Sequence, residues 1–95
     1  MQTYLMLGKY TTESLRDISA ARTDNAVKAI QQLGGEILLM HALLGPYDIA
    51  ALVHFPNNVD AVLGSVAVSR MTGISFTTLP AVPVPDFDRE ITRIP

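Results

Sequence analysis

Residues 36–55, EILLMHALLGPYDIAALVHF, contain two apolar runs separated by the turn Gly45-Pro46-Tyr47-Asp48. Gly45 supplies backbone freedom, Pro46 fixes φ at a turn corner, and the Asp48 carboxylate can accept hydrogen bonds from free backbone N–H groups. Each run has the length and composition of a β-strand. We therefore predict a hairpin with strands at 36–44 and 49–55, and the rest of the fold is derived outward from it.

A strand and a helix precede this hairpin, and a helix and a strand follow it. Residues 3–10 form the first strand, and Thr11 caps a helical pattern that ends at Gly34-Gly35. After the hairpin, Pro56-Asn57-Asn58 caps a second helix, and residues 74–79 form the last strand. The order β-α-β-β-α-β predicts an α+β, ferredoxin-like fold with two helices on one face of a four-stranded antiparallel sheet.

The first helix has an irregular interior. Its apolar stripe, which includes Ile18 and Ile30, is interrupted by the charged Arg22. Thr23-Asp24-Asn25 follow, and these residue types are poor in a helix interior but good at a new cap. We therefore expect a break or a kink at residues 22–25.

The chain divides into a domain at residues 1–82 and a proline-rich arm at residues 83–95. Proline lacks the backbone N–H of a sheet ladder, so we expect no regular pairing from Pro80 onward. The arm is predicted to be extended, with an amphipathic pattern at residues 87–94.

The 95-residue chain contains few charged residues. Only 17% of its residues are charged, its net charge is −2, and it contains no cysteine. Without a basic stripe, nucleic-acid binding is not expected, and without cysteine there are no disulfides or thiolate metal sites. We find no signal-peptide pattern and no apolar run of membrane-spanning length, so we expect a cytoplasmic protein with no membrane partner.

Apolar residues fall on both faces of the predicted sheet. In the first strand, Tyr4 and Met6 alternate with Leu5 and Leu7, and the hairpin strands show a similar double pattern. Two helices cover one face only, so the other face must meet a further apolar surface. We predict that this surface is a second copy of the same sheet in a homodimer or larger homo-oligomer. A ligand-filled cleft or a continuing assembly would also cover it.

A series of short motifs resembles the GYD domain family of small bacterial and archaeal proteins. The motifs are Lys9-Tyr10-Thr11, Arg22, Gly34-Gly35, Gly45-Pro46-Tyr47-Asp48, Pro56 and Gly73-Ile74-Ser75-Phe76-Thr77-Thr78-Leu79. The resemblance covers about residues 3–82 and implies a ferredoxin-like domain that associates as a dimeric α/β-barrel. It implies no particular activity, and the chain departs from the family's pattern after Ala81.

His41 and His54 are the only histidines. If Leu44 pairs with Ile49, both histidines lie on one sheet face as diagonal neighbours, roughly 7–8 Å apart. That separation is long for sharing a metal, and no cysteine or carboxylate completes a ligand set. We predict no metal site and treat both histidines as candidate ligand-binding or interface residues.

The other candidate ligand-binding residues are Tyr10, Arg22, Tyr47 and Asp48. Tyr10 and Arg22, together with Lys9, can gather near the end of the first strand and hold a small carboxylate. Alternatively, Arg22 snorkels or pairs with a nearby acid such as Asp17. Tyr47 can fold over the hairpin mouth, whereas turn chemistry alone accounts for Asp48.

No nucleophile–base–acid arrangement, phosphate-binding loop or paired carboxylates are recognisable, and we predict no cofactor. The preferred interpretation is a homo-oligomeric binding or assembly module that holds a small molecule at subunit junctions. A second is a cofactor-independent enzyme of the oxygenase or isomerase type. It requires a histidine, with Tyr10 or Tyr47, to line a closed apolar pocket of at least ~300 Å³. A third is a purely structural protein whose sheet edges or arm link copies together.

Overall fold

The computed structural model describes the whole chain, residues 1–95. Four strands form one antiparallel sheet in the order β2-β3-β1-β4. The strands are β1 (Gln2–Lys9), β2 (Glu36–Ala42), β3 (Ile49–Phe55) and β4 (Ser75–Ala81). The helices are α1 (Thr12–Arg16), α2 (Ala20–Gln32), α3 (Asn58–Thr72) and α4 (Val84–Glu90), and a 3-10 turn follows at Ile91–Arg93.

The core lies between one face of the sheet and the pair α2 and α3, which confirms the predicted ferredoxin-like α+β fold. Its largest fully buried side chains include Tyr4 and Phe55, whose rings meet edge to face with centroids 5.8 Å apart. Gly64 lets α3 approach the sheet closely, because a Cβ there would lie 2.5 Å from the Phe55 ring. Packing therefore explains this glycine.

The first helical segment breaks earlier than predicted. α1 ends at Arg16, and α2 begins after Ser19, whose hydroxyl accepts a hydrogen bond from the Arg22 backbone N–H at 3.0 Å. The expected break at residues 22–25 was wrong. A serine N-cap satisfies a free N–H at the start of α2, so the helix continues through those residues without interruption.

The register between β2 and β3 also differs from the prediction. The Leu43 N–H donates to the Asp48 carbonyl, and a bulge between Ile37 and Leu39 adds one residue to β2. Ala42 pairs with Ile49, so β2 ends at Ala42 rather than at residue 44 and the connection to β3 is longer than the predicted four-residue turn. Ile37 and Leu39, which strict alternation would place on one face, lie on opposite faces.

At the other edge of the sheet, β4 continues beyond its predicted end at residue 79. Pro80 lies opposite Tyr4, and the strand ends at Ala81. Proline is tolerated here because β4 is an edge strand, with a ladder on one side only.

The arm is partly helical rather than extended throughout. Pro83 precedes α4, and Pro85 lies in its first turn, where the missing N–H breaks no helical hydrogen bond. The longest and shortest dimensions of the molecule are 51 and 17 Å. None of its helices has both the length and the apolar character needed to cross a membrane.

Candidate functional site

An apolar cavity of about 80 Å³ lies beneath α2, against the helix-covered face of the sheet. All four strand regions and both packed helices contribute to its wall. The apolar lining residues are Met6, Ile18, Ala26, Ile30, Ile37, Met40, Ile49, Ala51, Val68, Ile74 and Phe76. A cavity of this composition favours an apolar occupant.

Four lining residues carry polar side-chain groups: Tyr10, Arg22, Thr23 and Thr72. The Thr72 hydroxyl donates to the Val68 carbonyl and accepts from the Ile74 N–H, and the Thr23 hydroxyl donates to the Ser19 carbonyl. Both threonines are therefore occupied within the protein. Tyr10 and Arg22 are the groups left to meet a ligand.

Arg22 is half-buried, with its guanidinium carbon 5.9 Å from the centre of the Tyr10 ring. Its Nη1 donates a hydrogen bond to the Ser14 carbonyl at 2.6 Å. The two ion pairs of the structure both lie in the arm, so the predicted alternative of Arg22 pairing with Asp17 is not observed. A guanidinium has five N–H donors, and most of those of Arg22 have no protein acceptor.

Local sequence signals place Arg22 at this position. Because Ser19 caps α2, Arg22 lies in the first turn, on the stripe that continues through Ala26 and Ile30 into the cavity. Ser14, which accepts from Arg22, is held in a reciprocal capping box with Thr11. The charge on the apolar stripe therefore marks the end of the cavity rather than a break in the helix.

Lys9 does not join Tyr10 and Arg22. It is exposed at the end of β1, opposite Ser75, and alternation places it with Leu5 and Leu7 on the open face of the sheet. Of the three residues predicted to gather around a carboxylate, only Tyr10 and Arg22 come together.

Asp48 ties the hairpin to the end of β1. Its carboxylate accepts a hydrogen bond from the Tyr10 backbone N–H at 2.8 Å, and its own N–H donates to the Gly8 carbonyl at 2.8 Å. Asp48 thereby holds the backbone of Tyr10 beside the cavity and need not touch a ligand itself. Tyr47 is half-buried and does not line the cavity.

The two histidines share the open face but are not neighbours. His41 lies opposite Ala50 and His54 opposite Glu36, so four positions of β3, roughly 13 Å, separate them. The predicted diagonal arrangement was wrong because it assumed that Leu44 pairs with Ile49, whereas Ala42 does so. Neither histidine lines the cavity beneath α2.

The open face itself is mainly apolar. Across its strands it presents leucines that are half-buried or exposed, although no helix covers them: Leu5, Leu7, Leu39, Leu52 and Leu79. No helix packs over these leucines, as the two-sided strand pattern predicted, and the start of the arm borders this face only at its His54 end.

A family model described as GYD domain matches residues 4–91. The match runs from β1 into the 3-10 turn after α4 and so extends past the expected limit at residue 82. No curated protein matches the sequence.

Proposed function

The chain belongs to the GYD domain family, and we propose that it is a self-associating module that binds a small apolar carboxylate in the cavity beneath α2. The observation that carries this proposal is the half-buried Arg22 guanidinium, which ends an apolar cavity and has no acidic partner. A partly desolvated cation in such a place is stabilised by an anion that the ligand supplies.

The ligand class follows from the Arg22 guanidinium at one end of the cavity and from the apolar side chains that line the rest of it. A carboxylate can accept two parallel hydrogen bonds from a guanidinium, which gives both strength and orientation. The remainder of the ligand must be apolar, because it meets methionine, isoleucine and phenylalanine side chains. The small volume of the cavity, about 80 Å³, limits the apolar part of the ligand to at most a short aliphatic chain or a single ring.

Calorimetric titration with paired probes tests the ligand class. Benzoate and hexanoate are compared with benzamide and hexanamide, which have nearly the same shape but no charge. We expect saturable binding of at least one acid, with its amide binding at least about tenfold more weakly, a difference of about 1.4 kcal/mol. Equal binding of acid and amide, or binding of none of the four, would contradict the proposal.

Self-association is supported by the open face. Four strands at ~4.8 Å spacing and roughly 23 Å long give a flat footprint of roughly 20 by 23 Å. This footprint, about 460 Å² before the relief of the side chains is counted, is more than half of the roughly 800 Å² that each partner buries in a typical stable interface. A second copy is the occupant that we propose, because two such sheets related by a two-fold axis bury both apolar faces at once.

The proposal places the ligand within each chain, under α2, and the partner on the opposite side of the sheet. The two features lie on opposite faces of the same four strands, so association can rigidify the cavity without contributing a residue to it. A binding and assembly role requires no catalytic group at either position.

A further inference from the structure

The C-terminal arm, residues 83–95, carries an apolar stripe that its own chain does not cover. Val84, Phe87 and Ile91 follow each other at helical spacing and are exposed, with Phe87 at 53%. The main packing partner of α4 is the 3-10 turn that follows it. A two-turn helix of this kind is marginal in water unless its apolar side is buried against another surface.

Most charged side chains of the arm form ion pairs with one another. Arg89 pairs with Asp86 at 2.9 Å, and Arg93 pairs with Glu90 at 3.2 Å. These pairs neutralise most of the arm's charge within the arm itself. What is left to recognise a partner is the apolar stripe, so the surface that receives it must also be apolar.

A groove of matching character lies between α3 and the edge strand β4. Its volume is about 360 Å³, and its apolar lining includes Val62, Val66, Phe76 and Pro80. It follows α3 from Asn58 to Val66, roughly 12 Å at 1.5 Å per residue, and α4 is roughly 10 Å long by the same measure. Val62 is 61% exposed, so an apolar segment lying in the groove would bury it.

The arm starts at one end of this groove but leads away from it. Pro80 lines the groove, and the chain then leaves the sheet through Val82 and Pro83. The backbone of Pro83 is extended, with a φ of −56° and a ψ of 136°. To enter its own groove, the arm would have to reverse within these two residues. The groove of another copy requires no change in the arm.

We propose that the arm of one protomer lies in the α3–β4 groove of a second copy of this chain. This is the helix-in-groove mode of recognition, with Phe87 as the central anchor and Val84 and Ile91 beside it. The same contact covers the unpaired edge of β4, which would otherwise be open to strand pairing with other chains. It does not use the leucines of the open face, and it shares only Phe76 with the lining of the cavity beneath α2, so it stands independently of the proposed function.

Disulfide trapping tests this contact, since the chain has no cysteine of its own. Full-length chains carrying Phe87→Cys are mixed with chains carrying Val62→Cys and oxidised mildly. We expect a covalent heterodimer on a non-reducing gel. Leu63→Cys is the matched control, because Leu63 is exposed on α3 but does not line the groove. Equal trapping with the control, or no heterodimer at all, would overturn the proposal.

A chain that carries both Phe87→Cys and Val62→Cys distinguishes an arm that lies in the groove of another copy from an arm that folds back into its own groove. Linked pairs of chains support the proposal, and a monomer with an internal disulfide overturns it.

Sedimentation then measures the strength of the contact. Phe87→Asp should weaken association by at least tenfold, whereas Thr92→Asp, which adds the same charge beside the stripe, should have little effect. Equal effects of the two substitutions would contradict Phe87 as the anchor.

Discussion

The Arg22 guanidinium lies over the ring of Tyr10, with its central carbon 5.9 Å from the ring centre. The two residues come from different parts of the chain, Tyr10 from the end of β1 and Arg22 from the first turn of α2. Each is held by a further contact: Asp48 accepts from the Tyr10 N–H, and Ser14 accepts from Arg22. The hairpin turn, β1 and the α1–α2 pair thus meet at one end of the cavity.

Replacing Asp48 should destabilise this junction. Asp48→Ala leaves the Tyr10 N–H without its acceptor, and we expect a loss of about 1–3 kcal/mol in the free energy of unfolding. Urea denaturation measures it. Asp24→Ala serves as the control, because Asp24 is exposed on α2 and makes no side-chain hydrogen bond. An equal effect of the two substitutions would contradict the structural role of Asp48.

A charge on the open face should separate the protomers. Leu52 lies on the central strand β3 between Leu5 and Leu39, so Leu52→Lys places an ammonium in the middle of the proposed interface. Sedimentation equilibrium should show a shift towards the monomer of at least tenfold in the dissociation constant. Leu63→Lys makes the same change on exposed α3 and should leave the mass distribution unaltered. A monomeric parent protein would refute self-association directly.

Gly64 should not tolerate even one methyl group. In Gly64→Ala the new Cβ would lie 2.5 Å from the Phe55 ring, so α3 or the ring must move. Overpacking of this kind costs about 1–3 kcal/mol, which exceeds the gain of up to about 1 kcal/mol in helix propensity. We therefore expect a lower urea midpoint. Combining the substitution with Phe55→Leu should cost less than the sum of the two single changes; strict additivity would argue against this contact.

Local chemistry made much of the fold predictable. Asn57 caps α3, Gly73 ends it at a φ of 73°, and residues 45–48 lie in the connection between two strands, as their residue types indicate. The bulge beside Leu38 was not predictable, because one extra residue in β2 leaves no distinct pattern in an apolar run. The length of β4 was missed for a similar reason, since proline is excluded from central strands but not from an edge.

The candidate site was predictable only in part. Tyr10 and Arg22 were expected together, and they meet, because both flank the same end of β1. The apolar cavity was not foreseen, since it depends on side chains from six elements that no single stretch of sequence displays. The charge of Arg22 on the apolar stripe of α2 was a signal for the cavity. It was interpreted as a helix break, although a charge at such a position can equally mark a cavity.

The most direct test of the central claim is the affinity of the Arg22→Met variant for benzoate, measured by calorimetry beside the parent protein. Methionine keeps the apolar length of the side chain but removes the cation. Lys28→Met removes a cation from an exposed position of the same helix, outside the cavity. We predict that Arg22→Met weakens benzoate binding by at least about tenfold, or about 1.4 kcal/mol, while Lys28→Met leaves it within twofold. Unchanged affinity in Arg22→Met, or equal losses in both variants, would contradict the account.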